Sequence, residues 1–204
     1  GTYLMLDDTL SSLRRMLIGL GSAAIVGLLL GLNMGMLPGI DATVSPTVRF
    51  LSIIPPLAIL PILFIIFGVG ELGKIMLIFL GSTFIITRDV RESVLRIPYE
   101  QIMKALTLGA SQFRVVYTII LPQILPRLLI TIRLCLGGSW LFLIASEAIA
   151  STSGLGYRIF LVRRYLSMDI IIPYVLWITV IGFSFDTLLR LSVQWLFPWY
   201  SHSE

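Results

Sequence analysis

Two charged side chains, Arg133 and Glu147, stand within one long apolar stretch of the sequence. A charge in such a segment is costly unless it is paired or faces water, so both residues are candidates for binding chemistry in the protein interior. Their separation corresponds to roughly 21 Å along a helix, so they cannot pair with each other and each needs its own partner. For Arg133 a structural role, as an anchor to lipid phosphate, is favoured over attraction of an anion. Glu147 could equally be an interface carboxylate bonded to a neighbouring loop.

Other reactive side chains are scarce. The sequence has one cysteine, Cys135, and one histidine, His202, which excludes a disulfide framework and a cysteine-based metal site. It also lacks the Gly-x-x-x-x-Gly-Lys-Ser/Thr loop that binds nucleotide phosphates. We therefore expect no catalytic residue, no metal site and no cofactor in this chain.

The composition indicates a protein in contact with lipid. Of the 204 residues, 57% are hydrophobic and 13% are charged, and the mean hydropathy is +0.96. A soluble domain of this size leaves about a third of its unfolded surface exposed and could not hide this apolar surplus. The net charge of +4 is spread between the apolar runs, which argues against nucleic-acid binding and indicates the flanks of membrane spans.

The apolar runs predict an all-α, multi-pass membrane protein whose single domain covers residues 1–204. Each run approaches the roughly 20 residues that cross a hydrocarbon core. In the first run Gly27, Gly31 and Gly35 either allow close helix approach or reflect the frequency of glycine in membrane helices. Because the sequence begins at Gly1 and not at methionine, we expect an upstream segment, such as a further helix. About five spans are predicted, at 16–37, 48–67, 72–87, 128–150 and 170–195.

Three features of these runs predict local structure. Pro55, Pro56 and Pro61 interrupt the helical hydrogen bonds of the second run, which predicts a bent helix that faces inward. Lys74, at the start of the third run, is expected to extend toward the membrane surface. Asp186 and Arg190 have the spacing of an ion pair within one helix.

The segment 88–127 between the third and fourth runs is patterned as two short amphipathic helices. Pro98 suits the first turn, Gly109 suits the left-handed residue that ends the first helix, and Leu121-Pro122 is expected to stop the second. The alternative is a helix pair lying in the lipid interface, although such pairs usually carry a denser basic face. The apolar positions are Tyr99, Ile102, Met103 and Leu106, then Phe113, Val116, Tyr117 and Ile120.

This segment resembles the cytoplasmic EAA loop of the membrane subunits of binding-protein-dependent ABC importers. The family pattern is Glu-Ala-Ala, three residues, Gly, nine residues, then Ile-x-Leu-Pro. Here Gly109 and the run 119–122 fit the spacing in full, and Ala105 matches the third residue of the triplet. Met103 and Lys104 replace the first two, a departure that resembles the nitrate, sulfonate, taurine and bicarbonate branch.

The resemblance implies the type I ABC importer permease fold in a bacterial inner (plasma) membrane. The first helix of the loop would be a coupling helix that docks on cytoplasmic ATPase subunits, which bind ATP and Mg. A second permease copy and a periplasmic substrate-binding protein would complete an importer for a small anion. The implied coupling residues are Met103, Lys104, Ala105, Leu106, Gly109, Ala110, Leu121 and Pro122.

Two further sets of residues follow from the resemblance. Candidates for the lining of a translocation path are Pro55, Pro56, Pro61, Arg133, Ser139, Trp140 and Glu147. The outer loop, residues 151–169, would contact the binding protein through Gly154, Gly156, Arg158, Arg163 and Arg164. For each arginine the alternative is ordinary solvation.

Two other functions stay open at this point. An ion-gradient-driven carrier would need acidic or proton-relay groups near the membrane midplane, whereas Arg133 and Glu147 lie toward helix ends. A non-transporting membrane scaffold would leave the patterned loop unexplained.

Overall fold

The computed structural model describes residues 2–200, and His202 lies outside that range. Its described part is helical and contains no strand. The helices are α1 (Thr2–Met36), α2 (Pro38–Ile53), a 3-10 helix (Pro56–Ile59), α3 (Leu60–Phe67), α4 (Glu71–Leu95), α5 (Tyr99–Thr107), α6 (Gln112–Val115), a π-helical turn (Val116–Ile120), α7 (Leu121–Ala150), α8 (Leu155–Arg163) and α9 (Met168–Leu196).

The all-α, multi-pass fold expected from the composition is confirmed. Three helical stretches are long and apolar enough to cross a membrane, namely Leu4–Met36, Gln112–Ile149 and Met168–Leu196. A fourth is obtained if α2 and the bent segment Pro56–Phe67 count as one span. The expected third span lies inside α4, whose ends carry charged residues and which packs between α1 and α7.

Helices α1 and α4 run parallel along a seam of glycines. The contacts advance in steps of eight or four residues on both helices, so the register is constant, and of the two interpretations of Gly27, Gly31 and Gly35 the close helix approach is the one observed. A Cβ atom added at Gly31 would lie 2.7 Å from the carbonyl oxygen of Thr87. Small residues thus let the two backbones touch. The facing pairs are Gly19 with Ile78, Gly27 with Ile86, Gly31 with Val90 and Gly35 with Val94.

The proline-rich second run is bent, as predicted. Helix α2 and the Pro56–Phe67 segment meet at 84°, because Pro55 and Pro56 lack the N–H groups that would continue the helix. Pro56 is half-buried and lines a cavity of about 250 Å³. Pro55 and Pro61 are exposed in this chain, so only one of the three prolines faces the interior of the single chain.

The second helix of the patterned loop does not stop at Leu121-Pro122, and that prediction was wrong. The N–H of Leu121 donates to the carbonyl of Val116 in the π-helical turn, and the chain continues directly into α7. Pro122 lies in the first turn of α7, directly after the π-helical turn, whose altered hydrogen-bond pattern accommodates the proline. The loop is therefore continuous with a membrane-spanning helix.

The glycine seam predicts different effects for two glycines of the same helix. We expect Gly31→Ala to lower the free energy of unfolding by about 1–3 kcal/mol, because the backbone of α4 must move away. Gly21 is exposed and a Cβ there meets nothing within 4 Å, so Gly21→Ala should leave stability unchanged or slightly raised. Thermal unfolding of both variants in one detergent measures the difference. Equal melting temperatures of Gly31→Ala and Gly21→Ala would contradict the close packing of α1 on α4 at Gly31.

Candidate functional site

Two groups of predicted functional residues lie at opposite ends of the bundle. One is the loop segment, residues 98–122, which lies at the end where α4 finishes at Leu95. The other is the charge cluster, which is buried except at the exposed Glu71 and the half-buried Arg158, and in which α1, α4, α7, α8 and α9 meet. The members of this cluster are Asp8, Ser12, Arg15, Glu71, Lys74, Glu147, Arg158 and Tyr174.

A left-handed turn at Gly109 separates the two helices of the loop segment. Gly109 has φ +85°, its N–H donates to the carbonyl of Leu106, and the N–H of Ala110 donates to the carbonyl of Ala105, both at 3.0 Å. This pair of bonds is the Schellman arrangement that closes a helix at glycine. Ser111 then caps α6, because its hydroxyl accepts from the N–H of Arg114. The left-handed residue predicted at Gly109 is confirmed.

One side of the loop segment packs on the bundle. Ile102, Ala105 and Ala110 are half-buried against the main apolar core. The Nε2 of Gln123 in α7 donates to the Oε1 of Gln101 at 2.9 Å, which joins α5 to α7. Ala105 therefore packs against the helices of its own chain and does not face the exposed side of the loop segment. The segment is fixed to a spanning helix both by contact and by continuity of the chain.

The opposite side of the loop segment is apolar and exposed. Leu108 is 88% exposed and Phe113 is 83% exposed on either side of the Gly109 turn. Lys104 and Gly109 are exposed as well, whereas Leu121 and Pro122 are half-buried at the start of α7. A contiguous apolar surface of this kind marks an interaction site. The other exposed large apolar residues of the segment are Tyr99, Met103, Leu106 and Tyr117.

In the charge cluster, Glu147 is fully buried and fully partnered. Its Oε1 accepts from the hydroxyl of Ser12 at 2.7 Å and from Nη1 of Arg15 at 2.6 Å. Its Oε2 accepts from the backbone N–H of Gly156 at 2.9 Å. Of the roles left open for Glu147, these bonds agree with that of a carboxylate bonded to a neighbouring segment, here the first turn of α8, and α1 supplies the counter-charge.

Arg15 links this carboxylate to α4. Its Nε and Nη2 donate to the two carboxylate oxygens of Glu71 at 2.6 and 2.7 Å, and its Nη1 also donates to the carbonyl of Ser153. Lys74 is 2% exposed and donates to Glu71 and to the hydroxyl of Ser151. The expectation that Lys74 extends to the membrane surface was wrong, because partners within the bundle hold its ammonium group.

Asp8 forms a second centre in the cluster. It is 2% exposed and accepts from the backbone N–H of Gly154 at 2.9 Å, from Nε of Arg158 at 2.8 Å and from the hydroxyl of Tyr174 at 3.2 Å. The hydrogen bond from Arg158 to this carboxylate raises the pKa of Arg158 above its ordinary value. Asp8 thus ties α1 to both α8 and α9.

The glycines of the outer loop are part of this packing. Gly154 has φ +125°, and a Cβ there would lie 2.5 Å from the carboxyl carbon of Glu147. A Cβ on Gly156 would lie 2.7 Å from the carbonyl oxygen of Ile144. Both glycines are buried, so they make room for the carboxylate. Of the residues predicted to contact a binding protein, Arg163 and Arg164 are exposed, whereas Arg158 is bonded to Asp8.

The remaining candidates for a path lining are dispersed along α7. Arg133 forms a double hydrogen bond with Asp186 of α9 at 2.5 and 3.0 Å, so the predicted Asp186–Arg190 pair was wrong. Ser139 is buried and shares a hydrogen bond of 3.3 Å with Ser82. Trp140 is buried, and among the described side chains its Nε1 has no hydrogen-bond partner. The ion pair with Asp186 gives Arg133 a structural role, but its partner is a carboxylate and not the lipid phosphate favoured from the sequence.

Four members of the charge cluster around Glu147 were not predicted from the sequence. Asp8, Ser12 and Arg15 precede the first clean apolar run, and Glu71 precedes the third, so all four resembled flanking residues. One signal was present, since Asp8, Ser12 and Arg15 recur at four- and three-residue spacing, which places them on one face of a helix. A polar stripe on an otherwise apolar helix indicates buried partners.

The cluster predicts a large effect for one carboxylate and a small effect for another. We expect Glu147→Ala to lower the free energy of unfolding by about 3–5 kcal/mol, because it leaves Arg15 buried with a lost partner. The exposed pair Glu92–Arg96, at 3.8 Å, supplies the control, and Glu92→Ala should cost less than about 1 kcal/mol. Chemical or thermal unfolding of both variants provides the measurement. Similar losses in the two would refute the role of Glu147.

Comparison with known proteins identifies relatives over most of the chain. A family model described as the inner membrane component of binding-protein-dependent transport systems matches residues 23–202. The taurine transport system permease protein TauC of Escherichia coli K12 is 34% identical over 190 residues, which cover 93% of this chain and 69% of that protein. The bicarbonate transport system permease protein CmpB of Synechococcus elongatus is 31% identical over 190 residues, covering 93% and 68%.

The fold agrees with these matches. The inward-facing MetNI methionine ABC transporter contains a chain that superposes with a TM-score of 0.81 at 20% identity, covering 94% of this chain and 95% of that one. The expected ABC importer permease fold is therefore confirmed. The resemblance to the taurine, sulfonate and bicarbonate branch is confirmed by relatives with those names. The chain belongs to the family of inner membrane components of binding-protein-dependent transport systems, and within it to the permease subunits, which are transport components and not enzymes.

Proposed function

We propose that this permease subunit forms part of an ATP-driven importer and couples to cytoplasmic ATPase subunits through the exposed face of the loop segment. The observation that carries this proposal is the apolar tip formed by Leu108 and Phe113 around the Gly109 turn. Its backbone is fixed by the Schellman bonds, while its side chains lack contacts that would bury them. A rigid, apolar projection of this shape suits a groove on another protein.

A protein partner fits this face better than the lipid interface. Helices that lie on a membrane usually carry many Lys and Arg residues on the polar side. Here the basic side chains between Pro98 and Pro122 are Lys104 and Arg114, and Glu100 opposes them. The attachment of α5 to α7 through Gln101 and Gln123 would carry a displacement of the docked segment into the spanning helices.

The substrate class that we propose is a small anion such as a sulfonate, taurine, bicarbonate or nitrate. Relatives that transport taurine and bicarbonate by name support the first three. In this proposal a second permease copy completes the pathway, a periplasmic binding protein delivers the anion, and ATP and Mg reside on the ATPase. The exposed Arg163 and Arg164 would face the binding protein, and a bacterial inner membrane is the setting.

The structure favours this function over an ion-gradient carrier. A carrier would require a titratable group free to exchange protons or ions near the midplane. Among the described residues, the carboxylates Glu147 and Asp186 of the spanning helices are each bound by an arginine. The scaffold alternative still gives no role to the exposed face of the loop segment.

Docking can be tested by adding bulk at Gly109. A Cβ at this position meets nothing within 4 Å, so Gly109→Trp should clash with the docked ATPase and reduce its co-purification at least tenfold. Gly109→Asn controls for the left-handed backbone, which asparagine tolerates, and should keep at least half of the co-purified ATPase. Gly21→Trp adds the same bulk at an open glycine in α1 and should leave assembly intact.

Co-purification is measured by affinity capture of the permease followed by quantification of the ATPase. Wild-type ATPase recovery and wild-type transport in Gly109→Trp would overturn the coupling assignment. An equal loss in Gly109→Asn and Gly109→Trp would attribute the effect to backbone strain, and would likewise remove the support for docking at this turn.

A further inference from the structure

A continuous groove runs between α2 and α4, on the part of the bundle near the loop segment. It begins as an apolar cavity of about 250 Å³ beside the proline bend, lined among others by Pro56 and Phe142. A second cavity, also of about 250 Å³, shares Ser52 and Ile85 with the first. The second shares Arg88 and Glu92 with a third cavity of about 110 Å³. The three cavities therefore adjoin.

The inner end of this groove is lined by cationic side chains from two helices. Arg49 of α2 and Arg88 and Arg91 of α4 line the third cavity together with the buried Ser45. Met34 and Val48, both buried, form its apolar base. An apolar cavity thus leads to a polar mouth with three guanidinium groups.

Two of the three carboxylates near this mouth, Asp41 and Asp89, are each bound closely by an arginine. Asp41 is held by Arg91 through two hydrogen bonds of 2.5 Å. Asp89 is held by Arg127 at 2.9 Å and by the hydroxyl of Thr131.

Glu92 approaches Arg96 at 3.8 Å. Within residues 2–200, the guanidinium groups of Arg49 and Arg88 have neither a hydrogen bond nor an ion pair, and both residues are exposed. Two guanidinium groups at the mouth of the groove therefore lack a direct hydrogen-bonded partner, although Glu92 lines the same cavity.

We propose that Arg49 and Arg88 form a binding site for a tetrahedral oxyanion, a sulfonate or a phosphate, with Ser45 as a neutral donor. Guanidinium groups bind such anions through paired N–H donors, and two of them from different helices can enclose one group. The apolar cavity above the mouth would receive a short hydrocarbon portion attached to the anion. The site joins α2 to α4 at a point where no direct ion pair uses these two arginines.

Two sources could supply this oxyanion. One is an organic sulfonate in transit, an assignment that rests on the proposed function. The other is the phosphate of an anionic lipid headgroup, since the groove opens near the inner end of α4. The chemistry of recognition is the same for both, and the binding site itself does not depend on transport.

The test compares ligand binding in charge-neutral variants of the full-length protein, purified with its partner subunits in nucleotide-free neutral detergent. The probes are ethanesulfonate and dioctanoyl phosphatidylglycerol, and the variants are Arg49→Gln, Arg88→Gln and the double variant. Arg164→Gln removes an exposed arginine at the other end of the bundle as a matched control. Because the guanidinium groups of Arg49 and Arg88 make no hydrogen bond or ion pair, all variants should keep the wild-type melting temperature.

The expected result is a Kd at least tenfold weaker in the double variant and unchanged in Arg164→Gln. Loss of ethanesulfonate binding alone identifies the site with a substrate anion, loss of lipid binding alone identifies it with a headgroup, and loss of both indicates a shared oxyanion site. An unchanged Kd for both probes overturns the proposal, as does a double variant that loses its fold. Failure of the proposed function would appear in the Gly109 variants and would leave these binding constants unaffected.

Discussion

A carboxylate sealed in a membrane protein must be surrounded by donors, and Glu147 imposes that requirement on the bundle. A buried ion that loses its partner costs several kcal/mol, so its neighbours must hold fixed positions. Arg15 and Ser12 in α1 and the backbone of Gly156 at α8 meet this requirement. Through Arg15 the constraint extends to Glu71 at the start of α4. One interaction therefore sets the relative position of four helices.

Beyond the charge cluster, the glycine seam fixes the position of α1 relative to α4 toward the other end of the protein. The parallel contact of α1 and α4 leaves no room for sliding, because a Cβ at Gly31 or Gly35 would overlap its neighbour. At the far end Asp89 joins α4 to Arg127 of α7, and α7 continues without a break into the loop segment. Because these contacts fix the helices relative to one another, a displacement of the loop segment would move the bundle as a rigid body, which suits a coupling role.

The sequence predicted the features that depend on local chemistry. The bend at Pro55 and Pro56 and the left-handed turn at Gly109 follow from what proline and glycine do to their own backbone. The stop at Pro122 was predicted wrongly because a π-helical turn accommodates the proline at the start of α7. The helix-breaking tendency of proline is a property of the single residue, and it does not take into account a π-helical turn that precedes the proline.

The features missed by sequence analysis depend on distant contacts. In the sequence Lys74 resembles a lysine that flanks a membrane span. In the folded chain it is buried, and its ammonium group donates to Ser151 in the turn after α7. Asp186 has Arg190 at helical spacing, yet it pairs with Arg133 of another helix. Spacing within one helix cannot show which partner lies across the interface, so pairs between helices become visible only once the bundle is assembled.

The central claim is that this permease works in an ATP-driven importer, and transport in sealed proteoliposomes tests it most directly. The vesicles would contain the permease with its ATPase subunits, and the binding protein would present labelled taurine or a related sulfonate. The account predicts uptake that requires ATP on the side of the ATPase and persists after ionophores collapse all ion gradients. Uptake that follows an ion gradient in the absence of ATP would contradict it.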